Sequence, residues 1–291
     1  MKKNKFIALL FCASTAVLSC KNQGSSDAGK ELINDKTRIV SLNGTVTEIL
    51  CRLNLENKIV GTDVTSTYPE SVTKLPKVGH NREVSTETVL SLTPTLVIGL
   101  DDNIKPELKQ QLAAAHIRLL LLHLDHSVAG AKKLVTDMAD SLGHANDAAA
   151  IAGEIDKDMA DITKPATAPK VLFIYARGTG TMMVAGKNNA VNNMIELAGG
   201  QNAIQEFSDF KPLTAEAVVA ANPDVILMFD KGLQSLGGVD GLLQVPGVAQ
   251  TNAGKNKKVI EMDGQFLTGF SPRTGKAAAE LSKKINEAAK S

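Results

Sequence analysis

The sequence has no tryptophan and only two tyrosines, Tyr68 and Tyr175, and aromatic residues make up 3% of its 291 positions. That scarcity argues weakly against a ligand gripped by an aromatic cage. Charge of one sign is missing too: 32 Lys and Arg against 31 Asp and Glu leave a formal net charge of +1, which gives no electrostatic case for nucleic acid. Of three cysteines, Cys12 and Cys20 fall near the N-terminus. Cys51 is therefore left without a disulfide framework and reads as a packed core thiol within an apolar helical pattern. The chain has no Gly-x-Ser-x-Gly elbow, no His-Glu-x-x-His and no Gly-x-x-x-x-Gly-Lys phosphate loop. Arg177-Gly-Thr-Gly-Thr-Met carries methionine where a dinucleotide fingerprint has its third glycine, so it is a turn. These absences argue against a catalyst.

The N-terminus reads as an export signal. Lys2, Lys3 and Lys5 precede an apolar run from Phe6 to Leu18 that is too short to span a bilayer. Val17-Leu18-Ser19-Cys20 resembles a lipobox, in which Cys20 is the lipidation site and the first mature residue; a plain secretory signal cleaved elsewhere is the alternative. The expected organisation is a signal peptide over 1–19, a flexible polar tether over 20–36, an N-terminal lobe over 37–143, a connecting helix over 144–165 and a C-terminal lobe over 166–291. Nothing after the leader is long and apolar enough to cross a membrane, so the expectation is a soluble body held by lipid at the periplasmic or cell-surface face.

Strands and helices alternate in the body. Strands are expected at 38–42, 58–62, 95–100 and 117–122, with helices at 45–55 and 105–115. The run Ile117–Leu122 is apolar enough to suggest a strand buried on both faces. Two helical patterns, 127–142 and 144–162, lead to a second lobe with strands at 170–175, 182–185, 224–228 and 258–262. The segment 263–273 reads as a loop before a terminal helix. The fold class is α/β: two Rossmann-like lobes joined by a long α-helix, with a ligand cleft between them.

One stretch organises the whole. In Leu75–Pro94, Pro76 and Gly79 break regular structure and leave His80 and Arg82 on an exposed connection. Ser85 then caps a helix that Pro94 stops, with Glu87 in its first turn. Leu213–Leu227 repeats that layout: Thr214 stands for Ser85, Glu216 for Glu87 and Pro223 for Pro94. Repeated spacing points to two similar lobes with a carboxylate at the same place in each.

The stretch Val78-Gly-His-Asn-Arg-Glu-Val-Ser-Thr-Glu-Thr-Val-Leu-Ser-Leu-Thr-Pro94 resembles the iron-ligand loop of periplasmic haem-binding proteins, the class III substrate-binding components of bacterial haem ABC importers. In that family a tyrosine usually holds the haem iron, and here His80 takes its place. The resemblance implies a lipoprotein that captures haem in its cleft and delivers it to an ABC permease dimer with its ATPase, touching the membrane only through its anchor. His80 is then the axial iron ligand. Arg82 matches the arginine that supports the ligand, either disfavouring imidazolium or pairing with a propionate. Arg177 lies where some relatives present a histidine to the other porphyrin face, with Tyr175 and Met182 beside it as candidate ligand-binding groups. Phe270 and Arg273, in a segment similar to Leu-Gly-Phe-Gly-Pro-Arg, are expected to line the cleft. Glu87 and Glu216 become knobs that dock on permease arginines. The same fold also serves cobalamin and ferric siderophores, and His123 and His126 with His80 offer a rival site for a metal ion such as Zn or Mn.

Overall fold

The computed structural model describes residues 33–290; the leader, Cys20 and the tether as far as residue 32 lie outside the described residues. The first lobe opens with strand β1 (Ile39–Ser41) and helix α1 (Gly44–Arg52), whose N-cap Asn43 accepts from the Thr45 amide at 2.8 Å. Strand β2 (Ile59–Thr62) follows, then a small hairpin of β3 (Gly79–His80) and β4 (Glu83–Val84), helix α2 (Thr86–Ser91) and strand β5 (Leu96–Leu100). Helix α3 (Pro106–Ala114) and strand β6 (Arg118–Leu122) complete the lobe. The sheet runs β2-β1-β5-β6 with every pairing parallel, in a register that sets Ile98 beside Leu120.

Strand β6 is an edge, not the doubly buried strand its apolar run suggests. Arg118 is exposed, Leu119 to Leu121 are half-buried, and only Leu122 is buried. The central position belongs to β5, all five residues of which are buried. An apolar run reports β-propensity and partial cover, not position within a sheet.

Helices α4 (Val128–Ser141) and α5 (Ala145–Ala160) pack side by side and carry the chain across. The 16 residues of α5 span roughly 24 Å at about 1.5 Å per residue. The second lobe comprises β7 (Lys170–Ala176), β8 (Met182–Ala185), α6 (Ala190–Leu197), β9 (Gln201–Asn202), β10 (Phe210–Pro212), α7 (Ala215–Ala221) and β11 (Val225–Phe229). It closes with α8 (Asp230–Ser235), α9 (Gly238–Leu242), α10 (Asn252–Lys255), β12 (Val259–Met262), α11 (Gly264–Thr268) and α12 (Thr274–Lys290). Its sheet order is β10-β8-β7-β11-β12, with β9 also paired to β7; β7, β9, β11 and β12 are parallel, β8 is antiparallel to β7, and β10 is antiparallel to β8. The expected loop 263–273 contains α11, because Asp263 accepts from the Phe266 amide at 2.8 Å and starts a helical turn.

Three apolar clusters fill the molecule. One backs the outer face of the first sheet through Val40, Val97 and Leu112, and another the outer face of the second through Leu172, Ile226 and Met228. The largest is shared: Ile98 and Leu50 of the first lobe, Ile151 and Ile155 of α5, Phe173 and Leu227 of the second lobe, and Leu281 and Ile285 of α12 belong to one contiguous cluster. Each sheet is thus covered on both faces, and the lobes are joined through packed helices, not by a bare linker.

Candidate functional site

In open α/β sheets the ligand position lies beyond the carboxyl ends of the parallel strands. Four connections of the first lobe meet there: Leu42–Asn43 after β1, Asp63–Pro69 after β2, Asp101–Asn103 after β5 and His123–His126 after β6. The β3–β4 hairpin is tied to this edge. The Val64 amide donates to the Gly79 carbonyl at 2.9 Å, and the Ser85 amide to that of Val78 at 2.9 Å. Gly79 has φ +108, and a Cβ there would meet the Glu83 carbonyl oxygen at 2.6 Å, so the turn that presents His80 needs glycine.

His80 is exposed on this hairpin, opposite Glu83. Its Nδ1 accepts a long contact from the Arg82 amide at 3.3 Å, and Nε2 has no protein partner among the described residues. That contact makes Nε2 the protonated position of the neutral ring, so ligation of a metal through Nε2 requires the contact to be released. Arg82 is exposed and forms no ion pair among the described residues. It borders a recess of about 90 Å³ with Asn103, Lys105 and Glu107.

In the second lobe, Tyr175 is half-buried near the end of β7 with its ring edge-on to Phe229 at 6.2 Å. Arg177 is exposed on the following turn, which its amide closes by donating to the Thr181 carbonyl at 2.9 Å. Three other expected ligand contacts already pack or pair within the protein. Met182 packs against the outer core of the second lobe, the sheet face opposite to that of Phe173. Phe270 is 1% exposed, edge-on to His126 at 5.5 Å, and so is an internal packing residue.

Arg273 is the third. Its Nε donates to Glu48 Oε1 at 3.0 Å and its Nη2 to Glu48 Oε2 at 2.9 Å, a fork geometry in which the Glu48 side chain is 1% exposed. Ser271 Oγ donates to the same carboxylate at 2.9 Å, and Gln265 Nε2 to Thr45 Oγ1 at 3.1 Å. The guanidinium also lies between two rings, 3.7 Å from the centroid of Tyr68 and 4.9 Å from that of Phe266. Arg273 therefore braces α1 of the first lobe to the segment before α12. Sequence reading missed Glu48, although an acid among Val46, Ile49 and Leu50 on an apolar stripe was the available signal.

The few aromatic residues are concentrated. Phe173, Tyr175, Phe210 and Phe229 make edge contacts at the second sheet, and Tyr68 and Phe266 sandwich Arg273. Low aromatic content therefore does not mean an interface without rings. The histidine set behaves differently: His123 is exposed with Nδ1 at 3.7 Å from Asp102, and His126 is exposed too, although its ring lies edge-on to Phe270. Burial lowers the His126 pKa from its ordinary 6.5, against smaller opposing pulls from Asp125 and Asp102. No group of three or more His, Cys, Asp or Glu converges to hold a metal among the described residues.

The repeated corners match in detail. Ser85 Oγ accepts from the Thr88 amide and Thr214 Oγ1 from the Ala217 amide, each at 3.2 Å, so both hydroxyls are N-caps. Before the two prolines, Thr93 and Asn222 both take positive φ, 45 and 37. Three residues after each glutamate an apolar side chain faces solvent: Leu90 is 37% exposed and Val219 40%.

Two sheets covered on both faces and joined by one packed helical junction form the two-lobed α/β architecture of a binding protein. The chain belongs to the periplasmic binding protein family, whose family model matches residues 39–266. It is 42% identical to the periplasmic haem-binding protein RhuT of Roseiflexus sp. RS-1 in its apo form, with a TM-score of 0.84 over 87% of this chain and 99% of that one. It is 34% identical to the periplasmic haem-binding protein BhuT, seen with two haems bound, with a TM-score of 0.80 over 86% of this chain and 98% of that one. It is 27% identical to the ABC transporter substrate-binding lipoprotein YvrC of Bacillus subtilis, over 93% of this chain and 87% of that protein.

Proposed function

We propose that this protein captures haem in the cleft between its lobes and hands it to an ABC-type permease. The observation that carries the reading is His80: an exposed imidazole, held only by the long Arg82 amide contact that ligation would release, on a glycine-dependent hairpin tied to the ligand edge of the first sheet. Neutral imidazole is a good iron ligand. Arg82, in the same hairpin and without an ion pair among the described residues, is the candidate to meet a propionate. From the facing lobe, Tyr175 and Arg177 are the candidates for the second porphyrin face. The solved haem-binding relatives support the choice of cargo.

The matched corners support a delivery role. Glu87 and Glu216, each with an exposed apolar neighbour in Leu90 or Val219, form two equivalent studs on two lobes, suited to the two halves of a permease dimer. Cys20 is the proposed lipid anchor, which would hold the body at the membrane face outside the cytoplasm; among the described residues no helix is long and apolar enough to cross a membrane. The reading assigns binding and no catalysis. Haemin titration tests it: the wild-type protein should develop a sharp Soret band, and His80→Ala should shift that band and weaken binding at least tenfold. A Soret spectrum and affinity unchanged in His80→Ala would remove His80 from the iron.

A further inference from the structure

The loop after β2 holds the two most exposed large apolar side chains described, Val64 at 47% and Tyr68 at 44%. Single exposed apolar residues are ordinary on mobile loops, but this loop is strongly braced. Asp63 Oδ1 accepts from Ser66 Oγ at 2.7 Å, and Asp63 Oδ2 from the Thr65 amide at 3.1 Å. Ser66 Oγ shares a 2.7 Å bond with Thr47 Oγ1 of α1, and Thr65 Oγ1 accepts from the Gly44 amide at 3.1 Å. The Lys77 ammonium donates to the Ser66 carbonyl at 3.0 Å. Val64 itself is bonded to Gly79, the residue before His80. The Tyr68 ring then rests one face on the Arg273 guanidinium, which the buried Glu48 fixes by two bonds. Held by that contact, Tyr68 is still 44% exposed.

We propose that Tyr68 is a preorganised stacking platform, with Val64 as its apolar margin, for the flat face of a conjugated macrocyclic ligand. This rests on the haem reading and adds a residue to it that has no part in iron ligation. A rigid ring already backed by a cation loses little freedom when a second flat system lies on it, which is the condition for a stacking contact to yield net affinity. The stack also joins the lobes: Tyr68 and Glu48 come from the first, Phe266 and Arg273 from the segment that follows β12. A ligand on Tyr68 thus presses on the interlobe brace itself.

The test compares wild type, Tyr68→Phe and Tyr68→Leu, titrated with haemin and separately with iron-free protoporphyrin, which needs no axial ligand. Tyr68→Phe should bind both as wild type does. Tyr68→Leu should lose on the order of tenfold in affinity for both, with the haemin Soret maximum unmoved. Wild-type affinity in Tyr68→Leu would overturn the platform while leaving the haem reading intact. A Soret shift in Tyr68→Phe would overturn it differently, by making the phenol an iron ligand. Wild-type protein that binds protoporphyrin but leaves the haemin Soret band as it is in free haemin would remove iron ligation and keep the platform; binding of neither would remove both. Tyr68→Met supplies the same readout if Tyr68→Leu does not fold.

Discussion

Single residues carry distinct tasks here, and their surroundings say which. Glu48 and Arg273 form a buried, forked pair, so removing one partner strands the other's charge. Glu48→Ala should cost about 3 kcal/mol in urea unfolding, by the cost expected of breaking a buried pair. Arg273→Met should be destabilised similarly, and the double variant should lose less than the sum of the two. Cys51 is half-buried beside Glu56 and Glu48, and burial first, then those carboxylates, pushes its thiol up to about 12. In a form beginning at Lys21, the native protein should therefore react negligibly with a thiol reagent at pH 8 and fully after unfolding. His126 gives a pH signature. Its folded pKa lies below the unfolded value of 6.5, so the unfolded chain binds the proton first and stability declines as pH falls below about 6.5. His126→Gln should flatten that decline in melting temperature between pH 7.5 and 5.5; an unchanged slope would assign the loss to other groups.

At the scale of elements, the β3–β4 hairpin is the part whose local sequence and tertiary role agree. Gly79→Ala puts a Cβ against the Glu83 carbonyl oxygen in a backbone region that L-residues avoid. It should displace His80 and weaken haemin binding more than tenfold, while the melting temperature falls by only the few degrees expected of about 1–3 kcal/mol of local strain. The corners around α2 and α7 were legible because capping is local: a hydroxyl, a first-turn acid and a stopping proline fall within ten residues. What that pattern did not reveal was the exposed Leu90 and Val219, since an amphipathic spacing does not say which apolar position a neighbouring element leaves uncovered. Replacing Glu87 and Glu216 together by Lys should leave haemin affinity unchanged and abolish transport in a reconstituted importer, which a Soret titration run beside an uptake assay would separate.

For the whole molecule, the decisive feature is the shared core. Because the largest apolar cluster runs from Leu50 and Ile98 through α5 and α12 to Phe173 and Leu227, each lobe keeps an outer cluster of its own but completes its inner face only against the shared helices. Calorimetry should show one unfolding transition with equal calorimetric and van't Hoff enthalpies, where two loosely linked lobes would show two. Alternation of short apolar strands with amphipathic helices, caps and turn residues determined the α/β class and the two-lobed plan from sequence, because those signals act over a few residues. The exposed connection bearing His80 was legible for the same reason, but its pairing as a hairpin was not. Tertiary structure alone decided that β6 is an edge, that Phe270 and Met182 face into cores, and that Arg273 answers Glu48 more than two hundred positions away. Those outcomes depend on which surfaces meet once the chain is closed, and a contact between distant residues leaves no period or spacing in the sequence by which to read it.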